Sequence, residues 1–413
     1  MWQGTLRAGP RPLRMKLQIS QNGDGHTTAI LWSLDEGNAG GFDPSYRADS
    51  VHIARSRLLV TLTPYRVRYV ANMPARADTI RGTWTEAGKS QPLELVRATP
   101  RSEWRDPSPH RVRFVQVEPT VRLETLDWGG SGRPVVLLAG AGNTAHVFDE
   151  IAPKLTDRYH VYGITRRGFG ASSAPSWGYL ADSLADDVLA VLDSLGVRQP
   201  VLIGHSIAGQ ELSSIGWRHP ERVAGLVYLD AAYAYAYYDS SSSANVALSI
   251  RDAQHKLARL NDPLIPLNAK TRQEIVAGLT DTTLPQLERD LRTWKQSLAA
   301  VPDQMAVPQA GPVNPVTRLL SMGAEKYTTI RAPALAIFAA PHEVPVSIKD
   351  SAARVRFDST ELARNLPQIR AFERGAPSAR IVTIPHANHF VFVSNQADVL
   401  GEIRMFIDKL TMN

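Results

Sequence analysis

Between residues 134 and 384 the chain keeps returning to short runs that are apolar on both alternations. They are Pro134-Val135-Val136-Leu137-Leu138, Val161-Tyr162-Gly163-Ile164, Pro200-Val201-Leu202-Ile203, Leu226-Val227-Tyr228-Leu229, Pro333-Ala334-Leu335-Ala336-Ile337-Phe338 and Arg380-Ile381-Val382-Thr383-Ile384. A strand with one wet face alternates apolar and polar residues. A strand that is apolar throughout needs cover on both faces, which a parallel sheet between helical layers supplies. Helical patterns separate the runs, and the clearest, over 180–195, places apolar residues at three- and four-residue steps. Strand and helix taking turns in this way predicts an α/β architecture with right-handed crossovers. Arg113–Val117 and Val121–Leu126 read as two further strands that open it.

The first hundred residues follow another rule. Lys16–Ser20, Thr28–Trp32, Leu58–Leu62, Val67–Val70 and Thr79–Trp84 are short period-2 segments separated by Gly, Asp, Asn and Pro. They predict antiparallel strands, hence a small β-sandwich or barrel over residues 1–97. The polar, Pro-rich stretch from Ala98 to His110 reads as a linker, because proline fixes φ and holds the preceding residue extended. The α/β part then occupies residues 111–413. One long block, about 233–326, breaks its rhythm, with helices predicted near 246–260, 269–280 and 284–299. An insertion after a late strand stands where functional loops gather, at the carboxyl ends of the strands, and is expected to cap a site there.

Composition removes several functions. The 413 residues include no cysteine, so disulfides, thiolate zinc sites and a cysteine nucleophile are excluded together. The net charge of +6 comes from scattered Lys and Arg rather than a basic run, and no nucleic-acid-binding motif accompanies it, so no nucleic-acid partner is expected. No stretch of about 18 apolar residues exists to span a membrane. The opening Met1-Trp2-Gln3-Gly4 is not a basic segment leading into an apolar one. As written the chain is expected in the cytoplasm, or outside the cell if a leader has been removed. Histidines are scattered, without the His-x-x-x-His spacing of a helix-borne metal site, so neither a metal nor a cofactor is expected. Gly140-Ala141-Gly142 lies after a strand, but the following strand ends in Thr165-Arg166-Arg167 and lacks the acid that would hold a ribose.

The strongest motif is Val201-Leu202-Ile203-Gly204-His205-Ser206-Ile207-Ala208-Gly209-Gln210, a buried strand passing through Gly-x-Ser-x-Ala into the helical pattern from Glu211. This is the signature of a nucleophile elbow, in which a serine sits on a sharp strand-to-helix turn and neighbouring backbone demands small residues two before and two after it. Residues 112–413 resemble the α/β-hydrolase family over nearly their whole length. Leu137-Leu138-Ala139-Gly140-Ala141-Gly142-Asn143 is similar to the family's oxyanion loop, with Ala139-Gly140 where the family usually has His-Gly. Thr165-Arg166-Arg167-Gly168-Phe169-Gly170-Ala171-Ser172 is similar to its Arg-Gly-aromatic-Gly-x-Ser segment, and His386-Ala387-Asn388-His389-Phe390 to the segment carrying its last catalytic residue.

The resemblance implies an α/β-hydrolase fold with a helical cap, preceded here by the small all-β domain, and a serine hydrolase that works through an acyl-enzyme. Ser206 is then the nucleophile and His389 its base, with His386 as competitor and His205 as a packing neighbour. The acid is expected at Glu343, a few residues past the run ending at Phe338. Asp230 is the alternative and Asp350 a remote third. Backbone N–H groups of Ala141 and Ile207 are expected to form the oxyanion hole, and Asn143-Thr144 to cap the helix that follows. Epoxide hydrolases and haloalkane dehalogenases are broadly similar but carry Asp at the elbow, so Ser206 points to acyl transfer, with a carboxylic ester, small or polymeric, as substrate. Amide, lactone or carbon–carbon bond hydrolysis would use the same triad, and a non-catalytic binding protein would use the same scaffold. Tyr233, Tyr235, Tyr237 and Tyr238, with Tyr228 before them, either line an apolar pocket or pack the cap onto the core.

Overall fold

A computed structural model describes residues 1–7, 13–21, 27–33, 45–63, 66–86, 88–99, 102, 110–170, 172–239, 246–261, 267–299, 315–345 and 348–410. Most of the predicted linker, including residues 103–109, lies outside them.

The amino-terminal strands are β1 (Trp2–Leu6), β2 (Leu13–Gln21), β3 (Thr27–Ser33), β4 (Ser45–Arg47), β5 (Ser50–Ala54), β6 (Arg57–Leu62), β7 (Val67–Asn72), β8 (Thr79–Glu86) and β9 (Lys89–Arg97). They form one antiparallel sheet in the order β4-β3-β2-β1-β9-β8-β7-β6-β5. Its two edges, β4 and β5, are consecutive in the chain. Ala48 N–H bonds to Ala29 on one side and Asp49 N–H to Thr61 on the other, both at 2.9 Å. A single kinked path therefore joins the edges and curls the sheet into a barrel, which removes the exposed edges an open sheet would leave. Period-2 alternation sends Leu17, Leu31, Leu58, Val60, Leu62, Tyr69, Ile80 and Trp84 inward, and these form the barrel's packed core.

The second sheet contains β10 (Arg111–Glu118), β11 (Val121–Gly129), β12 (Pro134–Leu138), β13 (His160–Ile164), β14 (Val201–His205), β15 (Gly225–Leu229), β16 (Ala334–Ala339) and β17 (Ala379–Ile384), ordered β10-β11-β13-β12-β14-β15-β16-β17. The β10–β11 hairpin joins antiparallel to β13, and every later pairing is parallel. Adjacent residues of each parallel strand enter different cores. Val136 and Leu138 belong to one apolar cluster, Val135 and Leu137 to the other. That is why these runs are apolar on both alternations. Helix α1 (Ala181–Leu195) and helix α2 (Gly209–Arg218) supply Ala185, Val188, Leu192, Leu212 and Ile215 to the cover.

Between β15 and β16 lie α3 (Val246–Asn261), α4 (Ala269–Ala277), a widened turn over Gly278–Thr283, α5 (Leu284–Ala299) and α6 (Pro315–Met322). The three predicted helices of the insertion correspond to α3, to α4 with the widened turn, and to α5; α6 is a fourth, not predicted from the sequence. Helix α7 (Ser351–Gly375) follows β16, and α8 (Val391–Ser394) and α9 (Gln396–Lys409) end the described chain. Among the described residues no helix is long and apolar enough to cross a membrane.

Candidate active site

The carboxyl ends of β14, β15, β16 and β17 converge, as parallel register requires, and each delivers one polar side chain to the same edge. Ser206 follows β14 with φ of 53°, a left-handed conformation that non-glycine residues avoid. The chain reverses there from strand into helix and turns the hydroxyl out of the sheet. A Cβ on Gly204 would lie 2.9 Å from Leu212 Cδ1 and 3.1 Å from Ala208 Cβ. Positions 204 and 208 face each other across the turn, so both must be small.

His389 bridges two partners. Its Nε2 is 2.9 Å from Ser206 Oγ and its Nδ1 2.6 Å from Asp230 Oδ2. A carboxylate only accepts, so Nδ1 carries the proton, and Nε2 is left to accept from the serine hydroxyl. Asp230, at the end of β15, is fully buried with φ of 48°. Its Oδ1 accepts from Ala339 N–H at 2.9 Å and from the Tyr233 hydroxyl at 2.5 Å. Its Oδ2 also accepts from His342 Nε2 at 2.8 Å. Burial alone would raise the pKa of this carboxyl. The bonds from His342 and His389 outweigh burial and hold it well below the usual carboxylate range.

Sequence reasoning missed His342. Its Nδ1 lies 2.6 Å from Glu361 Oε2 on α7, so both ring nitrogens donate to carboxylates and the ring carries a positive charge. Burial opposes that charge, but Asp230 and Glu361 together raise the pKa of His342 above its ordinary value. The only signal in the sequence was a histidine beside the expected acid.

Glu343, the expected acid, does not meet His389. It is exposed, its N–H bonds to Ala387 O at 2.9 Å, and its carboxylate accepts from Asn388 Nδ2 at 3.3 Å. Successive extended residues point to opposite sides, so once His342 faces Asp230 its neighbour faces solvent. Asp350 caps α7, accepting from Ala353 N–H at 2.7 Å. His386 is exposed, 3.8 Å from Asp358, and does not touch Ser206. His205 is buried and neutral. Its Nε2 donates to the His389 carbonyl at 3.0 Å, and burial, helped by the neighbouring His389, lowers its pKa to about 3.

The loop after β12 lies against the serine. A Cβ on Gly140 would come within 2.8 Å of His205 Nδ1 and 3.1 Å of Ser206 Cβ, so the backbone passes where no side chain fits. Buried Arg166 holds this loop from behind. It pairs with Glu211 Oε2 at 2.7 Å and donates to the carbonyls of Ala139 at 2.8 Å and Gly140 at 3.4 Å. The peptide unit is trans and planar, so tying the Gly140 carbonyl to Arg166 turns the Ala141 N–H the other way. Thr144 stands at the start of the next helical turn, but its side chain makes no capping bond; Thr165 Oγ1 accepts from Ala145 N–H instead, at 3.1 Å. The tyrosines divide. Tyr233 bonds the Asp230 carboxylate, and the half-buried Tyr235 hydroxyl donates to the Asp230 carbonyl at 3.5 Å. Tyr237 packs edge-on against Phe372, and Tyr238 packs with Leu248 and Ala324. Asp230, His342 and His389 are close enough to be metal ligands, but their contacts of 2.6 and 2.8 Å each hold a proton.

The chain is similar to several known proteins over part of its length. Non-heme chloroperoxidase of Streptomyces lividans is 38% identical over 108 residues, 25% of this chain and 39% of that protein. For 2-(acetamidomethylene)succinate hydrolase of Mesorhizobium japonicum the figures are 29% over 101 residues, 24% and 36%. Epoxide hydrolase B of Mycobacterium tuberculosis is 34% identical over 106 residues, 25% and 30%. The chain thus spans well under half the length of these relatives. A solved thermophilic esterase of Thermogutta terrifontis superposes on 73% of this chain and 100% of its own, at 20% identity and a TM-score of 0.44. Residues 135–402 match the model of the alpha/beta hydrolase family, a span that runs from within β12 to within α9 and includes Ser206, Asp230, His342 and His389, and the chain belongs to the alpha/beta hydrolase family.

Proposed function

We propose that this chain hydrolyses a carboxylic ester through an acyl-enzyme on Ser206, with His389 as base and Asp230 as the acid that orients it. The observation that carries this reading is the unbroken series of hydrogen bonds Ser206–His389–Asp230, at 2.9 and 2.6 Å. A serine hydroxyl is a poor nucleophile until a neighbouring base takes its proton. His389 Nε2 accepts that proton as Oγ attacks the ester carbonyl. Buried Asp230 stabilises the imidazolium without being protonated, because its four donors hold it ionised. The N–H groups of Ala141 and Ile207 receive the oxyanion, and Arg166 keeps the first of them aimed. His389 returns the proton to the leaving alcohol, and water then repeats the sequence to release the acid. His342 and Glu361 position Asp230 from behind. Residues 1–97 act as a separate domain, and the cap from about 233 to 326 excludes water from the site.

The test is hydrolysis of a short p-nitrophenyl ester by the parent chain and by Ser206→Ala. The expected result is activity in the parent and a loss of about 10³-fold or more in the variant, with folding unchanged by circular dichroism. Equal hydrolysis by the two proteins would refute the assignment.

A further inference from the structure

A second cluster of histidines and carboxylates lies outside the catalytic edge, at the start of the α/β domain. His110 directly precedes β10. His146 lies in the helical turn Ala145–Phe148, and Asp149 follows it. The side chains are largely but not fully buried, with 4%, 11% and 10% exposed respectively. We propose that His110, His146 and Asp149 form a binding site for a divalent transition metal, with Zn²⁺ the ion it fits best.

The spacing carries the argument. His110 Nδ1 is 3.4 Å from Asp149 Oδ1, and His146 Nδ1 is 3.3 Å from Asp149 Oδ2. One ligand atom from each residue lies within 4.8 Å of the other two. A charge-assisted hydrogen bond between imidazolium and carboxylate closes to about 2.7–2.9 Å. Ligands about 2.0–2.1 Å from a shared tetrahedral zinc stand roughly 3.3–3.4 Å apart. The two His–Asp149 contacts, one to each carboxylate oxygen, have the second spacing, although the one from His146 also counts as a long hydrogen bond. Moreover, His110 Nδ1 and Asp149 Oδ1 are both buried and neither has a hydrogen-bond partner. Two unpartnered polar atoms facing each other in a closed site are costly unless something between them satisfies both.

The surroundings suit a metal. Glu124 Oε1 lies 3.7 Å from His146 Nε2, the ring nitrogen opposite the one facing Asp149, and Glu124 itself accepts from Thr165 at 2.7 Å. A carboxylate behind a histidine sets its tautomer and orients the other nitrogen toward a metal. The His110 ring stands edge-on to Trp128 at 5.6 Å, which fixes its plane. Two imidazoles and a carboxylate are the ligand set of a borderline cation, and water or the second Asp149 oxygen completes four-coordination. Such an ion would clip His110, at the entry of the domain, to the turn that follows the oxyanion loop.

The experiment uses the full chain, stripped with a chelator and dialysed. Zinc binding is measured by titration calorimetry and elemental analysis, and thermal unfolding is followed with and without Zn²⁺. One Zn²⁺ per chain, with a melting temperature raised by several degrees, is expected in the parent, since a ligand held only by the folded state stabilises it. His110→Gln and the nearly isosteric Asp149→Asn should each weaken binding at least tenfold, whereas His342→Gln should not. Absence of stoichiometric zinc overturns the proposal. So does equal binding by His110→Gln, Asp149→Asn and the parent, or loss of binding in His342→Gln instead. Cobalt substitution of the parent needs no variant: strong visible d–d absorption of a four-coordinate ion is expected, and only the weak spectrum of hydrated cobalt would again overturn it.

Discussion

Asp230 and Asp149 each face two histidines, yet the two clusters are built for different cargo. At Asp230 one oxygen takes both donors, from His389 at 2.6 Å and His342 at 2.8 Å, while Tyr233 and Ala339 fill the other. At Asp149 each oxygen faces one imidazole, at 3.3 and 3.4 Å, and Oδ1 has no hydrogen bond. Contacts below 3 Å require a proton on the line between the atoms. Contacts of 3.3–3.4 Å make at most a long hydrogen bond, as between His146 Nδ1 and Asp149 Oδ2, and leave room for a cation. Residue composition, two histidines and an aspartate, is the same in both. Separation decides whether the cluster handles protons or holds an ion.

The largest expected effect comes from breaking the tight cluster at its centre. In Asp230→Asn the amide keeps the shape but can present its NH₂ to His389, favouring the tautomer with the proton on Nε2, where the serine needs an acceptor. kcat for a p-nitrophenyl ester should fall by about 10⁴-fold, measured by steady-state kinetics. The same change at Asp149 is read differently, as lost zinc stabilisation rather than lost turnover. If Asp230→Asn retained most of its activity, the difference between the clusters would lose its meaning.

A smaller effect is expected from His342→Gln, which removes the positive charge behind Asp230. The ring centroids of His342 and His389 are 6.0 Å apart, and both rings donate to the same Asp230 oxygen. Removal of the His342 ring should lower kcat by about tenfold, roughly 1.4 kcal/mol, through looser seating of Asp230. Stability should respond as well. The pKa of His342 is raised in the folded chain, so its contribution is present in full below the unfolded value near 6.5 and fades as pH rises through the folded value. The melting temperature of the parent should therefore exceed that of the variant most at mildly acidic pH, and the two curves should converge as pH rises. A merely structural packing role for the ring would leave the difference in melting temperature independent of pH.

What the sequence made legible was whatever local chain geometry demands. The elbow needs its small residues and its serine within five consecutive positions, and a parallel sheet covered on both faces needs runs such as Val135–Leu138 to be apolar throughout. His389 was legible because it follows the last strand. The barrel showed as alternation, but its closure did not, since that depends on β4 and β5 pairing with opposite edges. The partner of His389 was illegible for a related reason. Asp230 and Glu343 follow adjacent parallel strands, and both loops end at the same edge of the sheet. The choice between them rests on tertiary facts, namely the left-handed turn at Asp230 and the Ala339 N–H that anchors its carboxylate. The cluster around Asp149 was hidden because His110, His146 and Asp149 follow no helical or loop spacing typical of metal ligands. Folding β10 against β11 is what places His110 near the turn after β12.

The smallest effect is expected at Glu343, the carboxylate that chain order favours over Asp230. Its side chain is exposed and accepts only from Asn388 Nδ2 among its described partners, at 3.3 Å. Glu343→Gln keeps that acceptor and removes a charge already screened by water, so kcat and kcat/KM should stay within about twofold of the parent. Residue parity makes this prediction sharp. His342 forms a bridge pairing with Ala387, and the Glu343 N–H bonds to the Ala387 carbonyl, so the segment is extended and held in register. For Glu343 to reach His389, that register would have to slip by one residue, which would withdraw His342 from Asp230 and Glu361 and break bonds of 2.8 and 2.6 Å. A large loss in Glu343→Gln with Asp230→Asn still active would mean that the slipped register is the working one. A large loss in Asp230→Asn with Glu343→Gln unaffected assigns the acid to the end of β15.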